Sequence, residues 1–221
     1  MPSPHREKII EAFLALLAEK PFDRIGLAAI AEKAGVSLAE MRGEFGSTFD
    51  MIAAFVRDTD RKVLAGVGEE AEASARDRLF DVLMRRLEIL QPHRAAIRSL
   101  ARTAERQPRF ALGLNRLAVR SHQWMIAAAG IDSSGLLGGV RAQGLAVMFA
   151  RVMRVWLDDD DPGLARTMAE LDRGLATGAQ LSNLLDDLCR LVPSCPPRRR
   201  RSRDAGPRHT PGPSEPEAMQ A

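Results

Sequence analysis

Residues between positions 24 and 48 carry side chains suited to contacting the phosphates and bases of nucleic acid. Arg42 can donate charge-assisted hydrogen bonds to a phosphate, and Thr48 combines a hydroxyl with the start of a helix, where backbone amides also bind anions. Leu38 and Ala39 offer apolar contact with a thymine methyl group, and Glu40 offers an acceptor for cytosine. The full set of candidate contacts is Arg24, Lys33, Ser37, Leu38, Ala39, Glu40, Arg42, Ser47 and Thr48.

These side chains need a scaffold that presents one short helix, and the segment "IAEKAGVSLAEMRGEF" has the spacing of a helix-turn-helix. Gly35 stands where a helix C-terminus favours a left-handed residue. Ser37 stands at the N-cap of the next helix, three residues before Glu40, which is the spacing of a capping box. Val36 and Met41 are expected to close the core between the two helices.

The segment "IAEKAGVS", preceded by an amphipathic helix and followed by the aromatic Phe45, resembles the head of the TetR family of transcriptional repressors. The resemblance implies an all-α, TetR-like fold, in which a three-helix DNA-binding head precedes a helical bundle for ligand binding and dimerisation. It also implies a transcriptional regulator, expected to be a repressor. Such a regulator binds a palindromic operator in double-stranded DNA as a homodimer.

The expected recognition helix departs from the family pattern at three positions. In TetR proteins this helix usually ends in Leu-Tyr-x-His-Phe and a Lys opens the next helix, and the Tyr, His and Lys typically contact phosphates. Arg42, Glu44 and Thr48 stand at these positions here. Arg42 keeps a phosphate-binding group, whereas Glu44 places a carboxylate where a phosphate would lie. Residues 1–60 also hold seven basic and ten acidic side chains, a balance that disfavours DNA binding.

A second resemblance defines the alternative function. The segment "VMRVWLDDDDPGLARTMAELDRGL" is similar to the C-terminal region of the accessory protein family of ubiquinone biosynthesis, whose members share the TetR-like fold. That family binds lipid and not DNA. The alternative is therefore a lipid-binding accessory protein that has kept the head but not its DNA contacts.

Composition favours helices throughout the chain. Of 221 residues, 45% are hydrophobic and only 5% aromatic, and no alternating pattern typical of strands occurs. We expect a DNA-binding domain at residues 1–52, a ligand-binding and dimerisation domain at 53–192, and a disordered, Arg-rich tail at 193–221. The expected helices are 5–20, 27–34, 38–45, 46–73, 74–90, 92–107, 108–130, 140–157 and 162–192, and the glycines Gly174 and Gly178 suggest an interruption of the last one.

Apolar side chains in the predicted bundle could form a pocket for a small apolar ligand. The candidates are His122, Trp124, Met125, Met148, Phe149, Met153 and Trp156. Methionine adapts to irregular ligands, tryptophan stacks on flat ones, and the histidine could orient a polar group. Ordinary core packing is the competing interpretation of the same pattern.

Catalysis, cofactors and metals are not indicated by the sequence. Its histidines are scattered, no Ser-His-Asp or Cys-His arrangement is recognisable, and "GLLGGVRAQG" lacks the context of a dinucleotide-binding loop. The acidic run at residues 158–161 is interpreted as a solvated connection between helices. No signal peptide and no long apolar run are found, so a cytoplasmic protein without stable membrane insertion is expected.

Overall fold

The computed structural model describes the backbone of residues 4–68 and 73–191, and the side chains of residues 5–68 and 73–178. Within these ranges all regular elements are helical, as predicted. The helices are α1 Pro4–Glu19, α2 Leu27–Ala34, α3 Leu38–Glu44, α4 Thr48–Ala65, α5 Ala75–Leu90, α6 Arg94–Arg106, α7 Pro108–Ala128, α8 Gly135–Leu157 and α9 Ala165–Leu191. The described residues up to Leu184 form one compact unit, and a second unit begins at Leu185.

Serine side chains start three of these helices in the same way. The hydroxyls of Ser37, Ser47 and Ser74 each accept a hydrogen bond from the backbone amide three residues further on, at the starts of α3, α4 and α5. Each bond satisfies one of the amides that have no partner inside the helix, which is worth about 1 kcal/mol.

The core of the head combines helices α1 to α4 with one face of α6. Phe13 and Ile30 are completely buried there, together with Met41 and Met51. Leu100 of α6 belongs to the same cluster, so the head rests directly on the following helices. Because each such apolar side chain contributes about 1.5–3 kcal/mol when fully buried, this contact holds the head firmly on α6.

A second apolar cluster lies among α4, α5, α7, α8 and the first part of α9. Trp156 is its largest member, and its indole nitrogen donates to the Gln91 side chain at 3.1 Å. Gly174 lets α9 approach α8 closely, because an added Cβ would lie 2.7 Å from the Met148 side chain. Helix α9 is continuous through this position, so the interruption suspected between Gly174 and Gly178 is absent.

Two helix boundaries differ from the predicted ones by five residues or more, and the others agree to within three residues. Helix α4 ends at Ala65 and not at residue 73, and Gly66 takes the C-cap position. Helix α8 starts at Gly135, five residues before the predicted start, because Ser134 adopts the extended N-cap conformation. The proposed boundary between residues 52 and 53 falls inside α4 and stays a prediction, and the Arg-rich tail lies outside the described residues.

The acidic run between α8 and α9 is not wholly solvated, contrary to the prediction. Asp159 is buried, and one of its carboxylate oxygens accepts from the Thr167 amide at 2.9 Å and from the Thr167 hydroxyl at 2.7 Å. These hydrogen bonds lower the pKa of Asp159. Asp161 accepts from the amide of Ala165 at 3.1 Å. The two carboxylates therefore fix the start of α9, whereas the side chain of Asp160 is exposed.

Helix α8 is long and apolar enough to cross a membrane by length and composition. One third of its most apolar window is buried against other helices, and core helices of water-soluble proteins can have the same composition.

Candidate nucleic-acid interface

The turn between α2 and α3 fixes which side of α3 faces the solvent. Gly35 adopts φ +66°, a left-handed conformation that costs glycine little, and its amide donates back to the end of α2. Ile30 and Ala31 on α2 and Met41 on α3 point into the head core. The opposite side of α3 is exposed, and we call it the recognition face: Ser37, Leu38, Ala39, Glu40, Arg42 and Gly43.

Leu38 and Ala39 lie on the recognition face, at the start of α3. The Leu38 side chain is 54% exposed, which is high for a large apolar residue in a head that has its own core. Both side chains are free to approach an apolar group of a partner. Their exposed position is compatible with contacts to bases, and these contacts stay a prediction.

Glu40 is used within its own helix. Its carboxylate accepts from the Ser37 amide at 2.7 Å and from the Ser37 hydroxyl at 2.8 Å, which completes the predicted capping box. The Ser37 backbone hydrogen bond is the main reason why the pKa of Glu40 is lowered. In this conformation the carboxylate points at the start of α3, so recognition of cytosine by Glu40 would require the box to open.

Arg42 is exposed and leans over the connection between α3 and α4. Its Nη1 donates weakly to the carbonyl of Phe45, at 3.4 Å. The other guanidinium donors leave capacity for a phosphate. Asp50, in the first turn of α4, lies beside the same connection, because a Cβ added to Gly46 would be 2.7 Å from its carboxylate and 3.5 Å from Arg42. The local charge at this end of the recognition face is therefore mixed.

The start of α4 offers fewer available hydrogen-bond donors to an anion than its sequence predicted. The Ser47 hydroxyl is occupied by the amide of Asp50 at 3.1 Å, and Thr48 is half-buried. The carboxylate of Asp50 also opposes an anion at this helix N-terminus. Ser47 therefore acts here as a helix cap, and its role as a phosphate contact stays a prediction.

The remaining two candidates, Lys33 and Arg24, differ in their surroundings. The Lys33 ammonium forms an ion pair with Glu19 at 2.8 Å, across the exposed surface of α1 and α2, and this contact lowers the pKa of Glu19. Arg24 is exposed in the short 3-10 turn Phe22–Arg24. A phosphate at Lys33 would have to compete with Glu19.

The candidate ligand residues of the bundle are divided between its core and its surface. Met125, Phe149 and Trp156 are buried in the apolar cluster, and Met148 and Met153 are half-buried beside it. Trp124 is 62% exposed and faces away from its neighbour Met125. The structure therefore does not gather these seven side chains around one cavity, and the competing interpretation, core packing, describes the buried ones.

His122 is buried beside Phe149, with ring centroids 5.0 Å apart. Its Nδ1 lies 2.7 Å from the Ala118 carbonyl, and its Nε2 has no hydrogen-bond partner among the described residues. Burial, aided by the positive charge of Arg86, lowers the pKa of His122 to about 3. The imidazole is therefore neutral at physiological pH.

Comparison with known proteins identifies the fold. No family model and no curated protein matches the chain. A TetR transcriptional regulator from Nitrosomonas europaea superposes with a TM-score of 0.64 at 21% identity, over 80% of this chain and 99% of that one. A TetR transcriptional regulator from Rhodococcus sp. superposes with a TM-score of 0.55 at 23% identity, over 79% of this chain and 95% of that one. A TetR-family transcriptional regulator from Streptomyces coelicolor superposes with a TM-score of 0.56 at 15% identity, over 85% of this chain and 86% of that one.

This is the TetR-type fold. The architecture predicted from the "IAEKAGVS" segment is confirmed, including a helix-turn-helix head that precedes a bundle of longer helices. Identity below 25% shows the fold alone, so the operator, the effector and the assembly of this TetR-type chain are matters for proposal.

One further residue of the TetR-type head, Arg6, contacts the end of α3 although it is not among the candidate residues. The Arg6 guanidinium lies 4.9 Å from the ring centroid of Phe45, the aromatic residue after α3. This cation–π contact ties the start of α1 to the end of the recognition helix. Arg6 and Phe45 are 39 positions apart, so no local spacing could have paired them.

Proposed function

We propose that this chain is a DNA-binding transcriptional regulator, acting as a repressor, that inserts α3 into the major groove of a palindromic operator. The observation that carries the proposal is the recognition face: a short helix, capped at its start and buried on one side, that exposes Leu38, Ala39 and Arg42 on a TetR-type head. A cytoplasmic location follows from this function.

The proposal includes a homodimer built on α8 and α9. Leu136, Val140 and Val147 are exposed and recur on one stripe of α8. Leu136 is 87% exposed, and Met168 of α9 adds a further exposed apolar side chain. A second chain covering this stripe would bury it and place two heads at the spacing of two operator half-sites. Sedimentation of the full chain tests this, since Val147→Glu should shift it to monomer.

The deciding experiment is a selection of genomic DNA fragments on the purified full chain, at about 150 mM salt where non-specific binding is weak. We expect one palindromic motif. Arg42→Gln should weaken binding to that motif by about tenfold, the value of one charge-assisted contact, and Arg102→Gln on α6 should not. Both arginines are exposed, so the pair separates a local contact from a change in net charge.

The same preparation tests the lipid-binding alternative, which the acidic side chains Glu44 and Asp50 near the recognition face favour. If no motif is enriched and an organic extract of the protein contains isoprenoid or acyl chains, the chain is a lipid-binding accessory protein and not a regulator. The selection is repeated with a chain that lacks residues 193–221. DNA binding that needs this Arg-rich tail and shows no motif would also contradict the proposal, because the tail can attract DNA by charge alone.

A further inference from the structure

An open cleft of about 570 Å³ lies between the start of α1, one face of α4 and the surface of α7. Arg57, Arg61 and Leu64 follow one stripe of α4 along it, because they recur at intervals of four and three residues. Arg6 of α1 and Trp124 of α7 line its other sides. We call this the arginine cleft. Its volume is in the range of small-molecule sites.

Positive charge dominates the arginine cleft. Asp60 also lines it, but its carboxylate is bound by the Arg86 guanidinium behind the cleft and by the Ser121 hydroxyl at 2.7 Å. Asp58 pairs with Arg61. Among the residues that the structure describes, no hydrogen bond or ion pair engages the guanidinium of Arg57, which is exposed. Arg57 is thus the donor that an anion entering the cleft would meet.

The lining of the arginine cleft also includes an aromatic side chain, Trp124. Trp124 is 62% exposed, whereas Trp156 is completely buried in the core. The exposed indole and Leu64 both give the cleft apolar surface, and guanidinium groups bind carboxylates in a planar, two-pronged geometry. The combination suits a molecule with a flat apolar body and one anionic group.

The arginine cleft is separate from the recognition face. Arg57 and Arg61 lie nine and thirteen residues after Thr48, which corresponds to about 14 Å and about 20 Å along α4. It is also separate from the buried candidates Met125, Phe149 and Trp156. The cleft joins α1 of the head to α4 and α7, and Arg6 links it to Phe45 at the end of α3.

We infer that the arginine cleft binds a small aromatic carboxylate and that this ligand is the effector of the regulator. The regulatory part rests on the proposed function, while the binding part does not. A carboxylate held by Arg57, with its ring on Trp124, bridges helices of the head and the bundle. It therefore favours one position of α4 relative to α7, and the head's affinity for DNA changes by linkage.

Calorimetric titration of the full chain with 2-naphthoate tests the binding part without DNA. We expect one molecule bound per chain, and binding of the neutral isostere 2-naphthamide at least about tenfold weaker, because the amide lacks the charge that Arg57 recognises. Arg57→Gln should weaken naphthoate binding by a similar factor and Trp124→Ala should also weaken it, whereas Arg102→Gln on α6 should not.

Three results would overturn the inferred site: no saturable heat with millimolar naphthoate, equal binding of acid and amide, or unchanged binding by Arg57→Gln. The regulatory part is tested on the selected operator, where saturating naphthoate should change the affinity of the native chain but not that of Arg57→Gln. Naphthoate that binds without changing DNA affinity would remove the effector role. Failure to select any DNA would refute the proposed function alone, since calorimetry still decides the cleft.

Discussion

The recognition face and the buried polar cluster of Asp60, Arg86 and Ser121 satisfy their polar groups over very different lengths of chain. On α3, Ser37 and Glu40 satisfy each other at a separation of three residues. In the buried cluster, Asp60 of α4 bonds Arg86 of α5 and Ser121 of α7, at separations of 26 and 61 residues. The first arrangement can form inside one helix, and the second exists only when three helices are packed.

This difference assigns separate tasks to the two regions. The capping box of Ser37 and Glu40 keeps the shape of the recognition face locally, so its other exposed side chains can vary without loss of the helix that presents them. The buried cluster ties α4, which leads out of the head, to two helices of the bundle. A change in the cluster should therefore affect the whole unit, whereas a change on the recognition face should affect the proposed DNA binding more than stability.

The largest effect is expected from breaking the buried ion pair. The side chains of Arg86 and Asp60 are only 7% and 11% exposed, so Asp60→Ala leaves a buried charge without its partner and should cost about 3–5 kcal/mol of unfolding free energy in urea. Asp172→Ala is the control, because its ion pair with Arg76 is 57% and 39% exposed and should contribute less than about 1 kcal/mol.

A double variant sharpens this test. Asp60→Leu combined with Arg86→Met removes both charges and should recover most of the lost stability, because the cost comes from the unpaired charge and not from a missing attraction. If Asp60→Ala were no worse than Asp172→Ala, the cluster would not tie the three helices together.

The next effect concerns pH. Because burial lowers the pKa of His122 from 6.5 to about 3, the unfolded chain binds a proton that the folded chain excludes between these values, and stability falls as the pH decreases below 6.5. The loss should reach about 2 kcal/mol at pH 5. His93, whose pKa is also lowered by burial, contributes in the same direction.

Urea unfolding between pH 7.5 and 5 measures this loss, and His122→Gln should flatten the dependence. The carboxylates with lowered pKa values, such as Asp159, also destabilise the fold on acidification, but below about pH 4.5, so this window isolates the histidines. An unchanged slope in the variant would show that His122 is hydrated in solution.

A third, smaller effect compares two helix caps. Ser37→Ala and Ser74→Ala remove equivalent hydrogen bonds from the starts of α3 and α5, and each should cost about 1 kcal/mol of stability. Only Ser37→Ala should also weaken operator binding, because it loosens the recognition face. Equal loss of DNA affinity in both variants would mean that overall stability controls binding.

Local spacing was sufficient to predict the head, and this explains where sequence reasoning succeeded and failed. Gly35, Ser37 and Glu40 lie within six consecutive residues and contact only near neighbours in the sequence. Their roles as helix caps could therefore be predicted from local spacing. The burial of Asp159 depends on Thr167, eight residues away across a turn, and the acidic run gave no sign of it. A run of four aspartates is usually solvated, and only packing selects the one that is not.

The bundle shows the same limit more strongly. Trp124 and Met125 are neighbours in the sequence, but which of them faces the core depends on helices far away in the chain. The arginine cleft brings Arg6 together with Trp124, and no motif joins residues so far apart. Apolar composition therefore predicted the helices of the bundle, but not the position of its cavity.

The smallest expected effect concerns the exposed ion pair of Lys33 and Glu19, on the surface of α1 and α2. Glu19→Gln should leave the unfolding midpoint unchanged, because water and salt screen an ion pair on the surface. It should nevertheless release Lys33 for a phosphate. The slope of the logarithm of the operator affinity against the logarithm of the salt concentration should then steepen by up to about one. Glu105→Gln on α6 changes net charge equally and should leave that slope alone. If both variants steepened it, operator binding would depend on the charge of the whole molecule and not on Lys33.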